Sequence, residues 1–132
     1  PIRAELLHGD KKRAYTYTCL TPEKPVILVV GGSSGSKIIN DTVRSLLPQI
    51  LKNYQVIHLC GKGNLDPTLH NTEGYVQYEY ANAELADFFA VSELVISRAG
   101  ANSICELLAL HKPNILIPLS RNASAMSLRR KN

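Results

Sequence analysis

Three local signals follow one another in residues 26–47, which read VILVVGGSSGSKIINDTVRSLL. The first five residues are apolar and mostly β-branched, as in a buried strand. Residues 31–36 form a turn rich in glycine and serine, and apolar residues then recur at helical spacing. A strand, a glycine-rich turn and a helix start often bind phosphate, because the glycines let backbone amides approach the anion at the positive end of the helix dipole. The stretch therefore predicts a phosphate-bearing ligand such as a nucleotide.

The turn alone has two interpretations. It departs from the dinucleotide fingerprint, since Ser33 stands where that pattern has its second glycine, and no Gly-Lys-Ser/Thr of a P-loop follows. A turn that only connects a strand to a helix would have the same composition. Support for a ligand must therefore come from other segments.

The composition limits the class of protein. The chain has 132 residues, of which 45% are hydrophobic and 20% charged, as in an ordinary globular domain. No apolar run approaches the ~20 residues of a membrane span, and no secretory signal opens the chain. The net charge of +4 lies largely in basic clusters near the two ends, without interleaved aromatic residues. We therefore expect no transmembrane segment and no nucleic-acid partner, and, because Pro1 stands first, a fragment of a longer protein.

Residue types that hold metals or perform hydrolysis show no telling pattern. Cys19, Cys60 and Cys105 are odd in number and far apart, and the four histidines form no His-x-x-x-His pair. No Gly-x-Ser-x-Gly nucleophile motif occurs. We expect reduced cysteines, no metal, no cofactor and no catalytic residue in this segment.

Strand and helix signals alternate along most of the chain, which predicts an α/β fold with a Rossmann-like, doubly wound parallel sheet buried on both faces. Strands are predicted at 26–30, 55–60, 75–79, 94–97 and 114–118, and helices at 36–52, 83–90 and 102–111. Tyr15–Cys19 is compatible with an edge strand, and His58 with a core or sheet-end position. Because such sheets bind ligands beyond the carboxyl ends of their strands, the loops of interest are 31–36, 61–64, 80–82, 98–102 and 119–122.

A second strand-to-helix turn lies in residues 97–106, which read SRAGANSICE. Glu106 falls one turn into the predicted helix, where its carboxylate could accept hydrogen bonds from the two hydroxyls of a ribose. Ser103 and Glu106 also fit a capping box, and Asn102 fits a plain N-cap, so the residues alone leave both interpretations open. Leu59-Cys60-Gly61-Lys62 lacks the acid that nicotinamide-binding folds carry after the second strand, which disfavours that cofactor.

Three segments, Gly31–Asn40, Ser97–Ala101 with Glu106, and Pro113–Pro118, resemble in order and separation the MurG family of GT-B N-acetylglucosaminyltransferases. The likeness extends over residues 1–124, and Pro1–Arg3 looks like the end of that family's interdomain segment. It implies a partial C-terminal, donor-binding domain of a two-domain enzyme. The implied donor is UDP-N-acetylglucosamine, and the implied acceptor is a lipid-linked muramoylpentapeptide of peptidoglycan synthesis.

The resemblance also implies roles for individual residues. Arg3 and Ser33 would contact the diphosphate side of the donor. Ala81 and Asn82 would meet the uracil, largely through their backbone. The remaining donor contacts would come from one segment, with Glu106 on the ribose: Ala101, Asn102, Ser103, Ile104, Cys105 and Glu106.

Two departures from the family qualify this picture. The N-terminal, acceptor-binding domain has no counterpart here, and residues 125–132 do not match the family's glutamine-containing segment. We expect residues 125–132 to be disordered or to derive from cloning, and the chain alone to be inactive. The resemblance implies a cytoplasmic chain whose full-length protein is peripheral on the inner membrane face. The alternatives are another GT-B transferase that uses a nucleotide sugar and a non-catalytic UDP-binding module.

Overall fold

A computed structural model describes residues 8–31, 37–98 and 113–117. In these ranges the chain forms a five-stranded sheet in which every neighbouring pair is parallel, in the order β3-β2-β1-β4-β5. The elements are α1 Lys11–Thr18, β1 Val26–Val30, α2 Lys37–Ile50, β2 Gln55–Leu59, β3 Tyr75–Tyr78, α3 Glu84–Val91, β4 Ser92–Arg98 and β5 Asn114–Ile117, with a 3-10 turn at Pro67–Leu69. The predicted α/β fold with a parallel sheet is confirmed.

Both faces of the sheet are covered, which explains why its strands lack an alternating pattern. On one face, Ile27 and Val29 of β1 pack in a cluster with apolar residues of α2, including Val43. On the other, Val26 and Leu28 belong to a cluster that includes residues of α1 and α3. Alternate residues of a strand point to opposite faces, so an all-apolar strand is required where both faces are buried.

The strand predictions are correct to within two residues. The largest difference is in β4, which begins at Ser92 because α3 ends at Val91 and leads directly into the strand. The predicted helix at 102–111 lies outside the described residues. Within the described ranges, no helix combines the length and apolar character needed to cross a bilayer.

The interpretation of Tyr15–Cys19 as an edge strand is wrong, because Lys11–Thr18 is helical. The Asp10 carboxylate caps this helix by accepting a hydrogen bond of 2.7 Å from an amide in its first turn. The Thr18 hydroxyl donates to the Ala14 carbonyl at 2.8 Å, so a residue that favours strands is satisfied within the helix. Contacts with α3 bury one side of α1 and override the strand preference of alternating tyrosine and threonine.

The contact between α1 and α3 is close. The Phe88 ring on α3 stacks on Tyr78 with ring centroids 5.4 Å apart and meets the edge of Tyr17 on α1 at 5.8 Å. Just before α1, a Cβ atom added to Gly9 would lie 1.9 Å from the carbonyl oxygen of Ala86. Only a residue without a side chain permits this approach, so the segment that leads into α1 lies directly against the backbone of α3.

Candidate functional site

The order of the strands reverses between β1 and β4, and this switch point defines the candidate site. From β1 the sheet continues through β2 on one side and through β4 on the other. Val30 is in register with Leu59 of β2 and with Ser97 of β4, so the three central strands end at the same level. Open parallel sheets bind ligands in the crevice at such a point. We call the space beyond the carboxyl ends of β1 and β4 the β1–β4 crevice.

The two segments singled out in the sequence both begin at the β1–β4 crevice. Gly31 opens the glycine-rich turn; it is buried, and its amide donates to the Leu59 carbonyl at 3.3 Å. After residues 32–36, which lie outside the described residues, α2 begins at Lys37. Arg98 ends β4, where the second segment continues. The strand and the helix that flank the glycine-rich turn thus have the predicted positions.

Most of the predicted donor-binding residues lie outside the described residues, so their roles stay predictions: Arg3, Ser33, Ala101, Asn102, Ser103, Ile104, Cys105 and Glu106. The structure describes two of the predicted contacts, Ala81 and Asn82. Both lie in the connection from the end of β3 to the start of α3, at the same edge of the sheet as the β1–β4 crevice.

The connection formed by Ala81 and Asn82 is held by the first turn of α3. Ala81 packs against the cluster on the α1 and α3 face, whereas Asn82 is exposed. The backbone amide of Asn82 donates to a carboxylate oxygen of Glu84 at 2.7 Å, and the backbone carbonyl of Asn82 accepts from the Leu85 amide at 3.1 Å. A ligand that used the Asn82 amide would therefore displace Glu84. This role of Glu84 was not predicted, although an acidic residue in the first turn of a helix is favourable there and is a usable signal.

The predicted loop at 61–64 also lies at this edge and is tied to the end of β3. Gly61 and Gly63 have positive φ angles of 93° and 78°, which favour glycine. The Gly61 amide donates to the Glu79 carbonyl at 2.9 Å, and the Gly63 amide donates to the Glu79 carboxylate at 2.6 Å. These bonds hold the loop beside the end of β3, and the Lys62 side chain is exposed.

A buried polar network lies directly beneath the edge and centres on His58 of β2, whose side chain is 0% exposed. Asn40 of α2 donates from its amide nitrogen to the Cys60 carbonyl at 2.9 Å, so its oxygen faces the histidine. His58 Nε2 therefore carries the proton that it donates to Asn40 at 2.8 Å, and Nδ1 accepts from the Tyr75 hydroxyl at 2.7 Å. Burial and the nearby positive charge of Arg44 lower the pKa of His58 to about 4, so the ring is neutral at pH 7.

Arg44 of α2 closes the network on its outer side. Its Nε donates to the Tyr75 hydroxyl at 3.2 Å. Its terminal nitrogen donates at 2.7 Å both to the Asn64 carbonyl and to the Gln77 side chain. The network therefore joins α2 to β2, to β3 and to the loop between those strands.

The expectation that His58 is a core or sheet-end residue is confirmed, but its hydrogen-bond partners were not predicted. Asn40 gives a weak signal, since it is a polar residue beside the apolar stripe of α2 that includes Ile39 and Val43. For Arg44 and Tyr75, the sequence contains no signal that would predict their place in this network. Within the described ranges, no group of three His, Cys, Asp or Glu residues could hold a metal ion.

Comparison with known proteins yields a consistent set of relatives. A model of the glycosyltransferase family 28 C-terminal domain matches residues 26–130. Proteins from Clostridium perfringens (strain SM101 / Type A), Lachnospira eligens and Bacillus cereus are 62%, 60% and 55% identical to this chain over 124 residues. All three are named UDP-N-acetylglucosamine--N-acetylmuramyl-(pentapeptide) pyrophosphoryl-undecaprenol N-acetylglucosamine transferase, the last with the suffix 2. Each alignment covers 94% of this chain but 35% of the relative, so the chain spans about a third of their length.

Proposed function

Because the chain belongs to the glycosyltransferase family 28 C-terminal domain family, we propose that it is the donor-binding part of an N-acetylglucosaminyltransferase. The donor is UDP-N-acetylglucosamine. The acceptor is the N-acetylmuramyl-(pentapeptide) pyrophosphoryl-undecaprenol that appears in the names of the relatives. The longer protein thus acts in peptidoglycan synthesis, peripheral to the cytoplasmic face of the membrane.

The observation that supports this proposal is that β1 and β4 end at the same level of the sheet. Since Val30 and Ser97 are in register, β1 and β4 end at the same level, and the glycine-rich turn and the 97–106 segment begin at these two strand ends. Two strand-to-helix turns at one crevice can share a single diphosphate through their backbone amides. We assign the diphosphate side to Ser33 and Arg3, and the ribose to Glu106 with the Ala101–Cys105 segment around it.

The uracil is assigned to the connection at Ala81 and Asn82. The connection follows β3 at the same edge of the sheet. The backbone amide of Asn82 already donates to the Glu84 carboxylate. We therefore propose that the base contacts the backbone of Ala81, and that any hydrogen bond from the Asn82 backbone amide to the base forms by displacing the Glu84 carboxylate. The exposed Asn82 side chain makes at most a small contribution.

The proposed chemistry is a direct displacement. A hydroxyl of the acceptor attacks the anomeric carbon of N-acetylglucosamine, the bond from that carbon to the diphosphate oxygen breaks, and the configuration inverts. UDP leaves with the bonding electrons, and backbone amides and positive groups at the crevice stabilise the charge that develops on it. The general base and the lipid-binding loops belong to the N-terminal domain of the longer protein, so this chain alone binds UDP without transfer.

Calorimetric titration of the 132-residue chain tests the donor site. We expect binding of UDP and UDP-N-acetylglucosamine but not of NAD, and a loss of roughly tenfold in affinity for Glu106→Ala, as for one charge-assisted hydrogen bond. Glu93→Ala is the matched control, because Glu93 is an exposed acid near the start of β4, at the opposite edge of the sheet. Equal effects of the two variants on UDP affinity would contradict the contact with the ribose and favour a helix-capping role for Glu106.

Activity of the longer protein separates the alternatives. With the N-terminal domain joined to this chain, we expect transfer of N-acetylglucosamine to the lipid-linked acceptor. Preference for a different nucleotide sugar would identify another GT-B transferase. Binding of UDP without transfer to any acceptor would identify a non-catalytic module.

A further inference from the structure

We propose that Asn40 and His58 are positioning residues, which hold the first turn of α2 against the end of β2 and thereby set the affinity for the donor diphosphate. The proposal rests on the proposed function, because it assumes that the start of α2 faces the donor. Neither side chain needs to touch the ligand. Their role is to fix where the helix begins relative to the β1–β4 crevice.

Asn40 is placed to fix the helix start. It is the fourth residue of α2 and is 3% exposed. Its side chain donates to the carbonyl of Cys60, the residue directly after β2. The same carbonyl accepts a second bond of 3.1 Å from the Asn64 side chain. One backbone oxygen at the sheet edge thus joins the start of α2, the end of β2 and the following loop.

The network allows a single direction of hydrogen bonding. Arg44 can only donate, so the Tyr75 hydroxyl accepts from it and directs its own proton to His58. His58 in turn donates to Asn40, and Asn40 donates to Cys60. Each group in the network therefore has one consistent role as donor or acceptor. A flip of the Asn40 side-chain amide would break its bonds to Cys60 and His58 in a buried environment, where each lost bond is costly.

The opposite end of β2 offers a matched comparison. Gln55 is 5% exposed, and its side chain makes three hydrogen bonds to the backbone of Thr21 and Lys24. It resembles Asn40 in the chemistry and burial of its side chain, and like Asn40 it bonds two other residues. It lies at the start of the strand, however, at the edge away from the β1–β4 crevice. Truncation of Gln55 therefore removes a comparable buried amide without disturbing the start of α2.

The test compares Asn40→Ala with Gln55→Ala in the full 132-residue chain. Three quantities are measured: the dissociation constant of UDP by calorimetry, the thermal midpoint, and hydrogen exchange of the amides at 37–43. We expect both variants to lower the thermal midpoint by similar amounts. Asn40→Ala should weaken UDP binding roughly tenfold, because the first turn of α2 loses its bond to the Cys60 carbonyl and the buried Nε2–H of His58 loses its acceptor. Gln55→Ala should leave UDP binding within about twofold of the original, since its lost bonds lie at the other edge.

Tyr75→Phe is the milder second variant if Asn40→Ala fails to fold. It removes the hydroxyl that orients His58 and that accepts a bond from Arg44, which keeps its bonds to Asn64 and Gln77. We expect about threefold weaker UDP binding, because the bond to His58 is lost at one remove from Asn40. Unchanged UDP binding in Asn40→Ala, or in Tyr75→Phe where Asn40→Ala does not fold, would overturn the proposal and leave the proposed function standing.

Hydrogen exchange separates a failure of the proposal from a failure of the proposed function. If the unaltered chain does not bind UDP, the assignment of the donor site fails, but the exchange data still decide whether the network holds the helix. Faster exchange at 37–43 in Asn40→Ala and not in Gln55→Ala would support the hold on α2. Equal exchange in the two variants would contradict it.

Discussion

The Asp87 carboxylate on α3 accepts a hydrogen bond of 2.8 Å from the backbone amide of Asp10, the N-cap residue of α1. Arg13 on α1 donates to the same carboxylate from Nε at 3.1 Å and from its terminal nitrogen at 3.0 Å. Burial alone would raise the pKa of Asp87, but the bonds from Arg13 and the Asp10 amide outweigh it and lower the pKa. One buried carboxylate thus fixes the start of α1 to α3.

Loss of this carboxylate should destabilise the fold. Asp87→Ala leaves the Asp10 amide without its acceptor, and we expect the free energy of unfolding to fall by about 1–3 kcal/mol. Urea denaturation at pH 7 measures the change. Asp41→Ala is the control, because Asp41 pairs with Lys37 on the surface and its side chain is 58% exposed, so a change below about 0.5 kcal/mol is expected. Equal losses would show that the Asp87 contact is no stronger than a surface ion pair.

A side chain at position 9 should be poorly tolerated. In Gly9→Ala the new Cβ would lie 1.9 Å from the Ala86 carbonyl oxygen, so the backbone must move, at a cost of about 3 kcal/mol or more. Gly63→Ala is the comparison: its φ of +78° is strained for alanine, but the space around it is open, and about 1 kcal/mol is expected. Thermal and urea unfolding of both variants test the order, and a larger loss in Gly63→Ala would contradict it.

Stability should depend on pH through His58. The unfolded histidine titrates near its ordinary value of 6.5, whereas burial and Arg44 lower the pKa of the folded His58 to about 4. Between these values the unfolded chain binds more protons, so the free energy of unfolding rises with pH. This stabilisation is complete above pH 6.5 and is lost as the pH falls toward 4, a loss on the order of 3 kcal/mol.

Urea denaturation at several pH values between 4 and 7 measures the contribution of His58. His58→Gln should flatten the profile, whereas His70→Gln, at an exposed position, should retain it. The window differs from that of Asp87, whose contribution is present above pH 3.8 and is lost only as the pH falls through its lowered folded value. A profile that His58→Gln leaves unaltered would show that the buried ring does not resist protonation.

The proposed uracil contact should tolerate a change of side chain at position 82. Because Asn82 is exposed and its backbone is held by Glu84 and Leu85, Asn82→Ala leaves the connection in place. We expect the dissociation constant of UDP, measured by calorimetry, to change less than about twofold, which is smaller than the effect of one hydrogen bond. A loss as large as that of Glu106→Ala would show that the Asn82 side chain itself reads the base.

The sheet could be predicted from the sequence because its signal is local. Val26–Val30 is an apolar run closed by glycine, and such a run has few alternatives to a buried strand. The strand prediction for Tyr15–Cys19 is wrong because its tyrosines and threonines favour strands, while the contact of Phe88 with Tyr17 and the capping by Asp10 favour a helix. Contacts between distant segments cannot be read from residue preferences.

The candidate site was predictable in outline for the same reason. The glycine-rich turn stands out between a strand and a helix, and the rule for parallel sheets then predicts the edge at which a ligand would bind. The network of Asn40, His58 and Tyr75 joins α2, β2 and β3, whose mutual positions follow from packing on one sheet face. The spacing of these three residues along the chain does not predict that their side chains are in contact.

The pairing of β1 with β4 also shapes how the chain folds. Val26 pairs with Ser92, far along the sequence, whereas β2 follows β1 closely. Long-range pairings of this kind form slowly, because the intervening chain must be ordered first. Until β4 arrives, β1 presents an apolar strand with one unpaired edge, a template for aggregation. On a ribosome that interval lasts until Ser92–Arg98 has emerged, so the step that completes the β1–β4 crevice is also the one that protects the nascent chain from its neighbours.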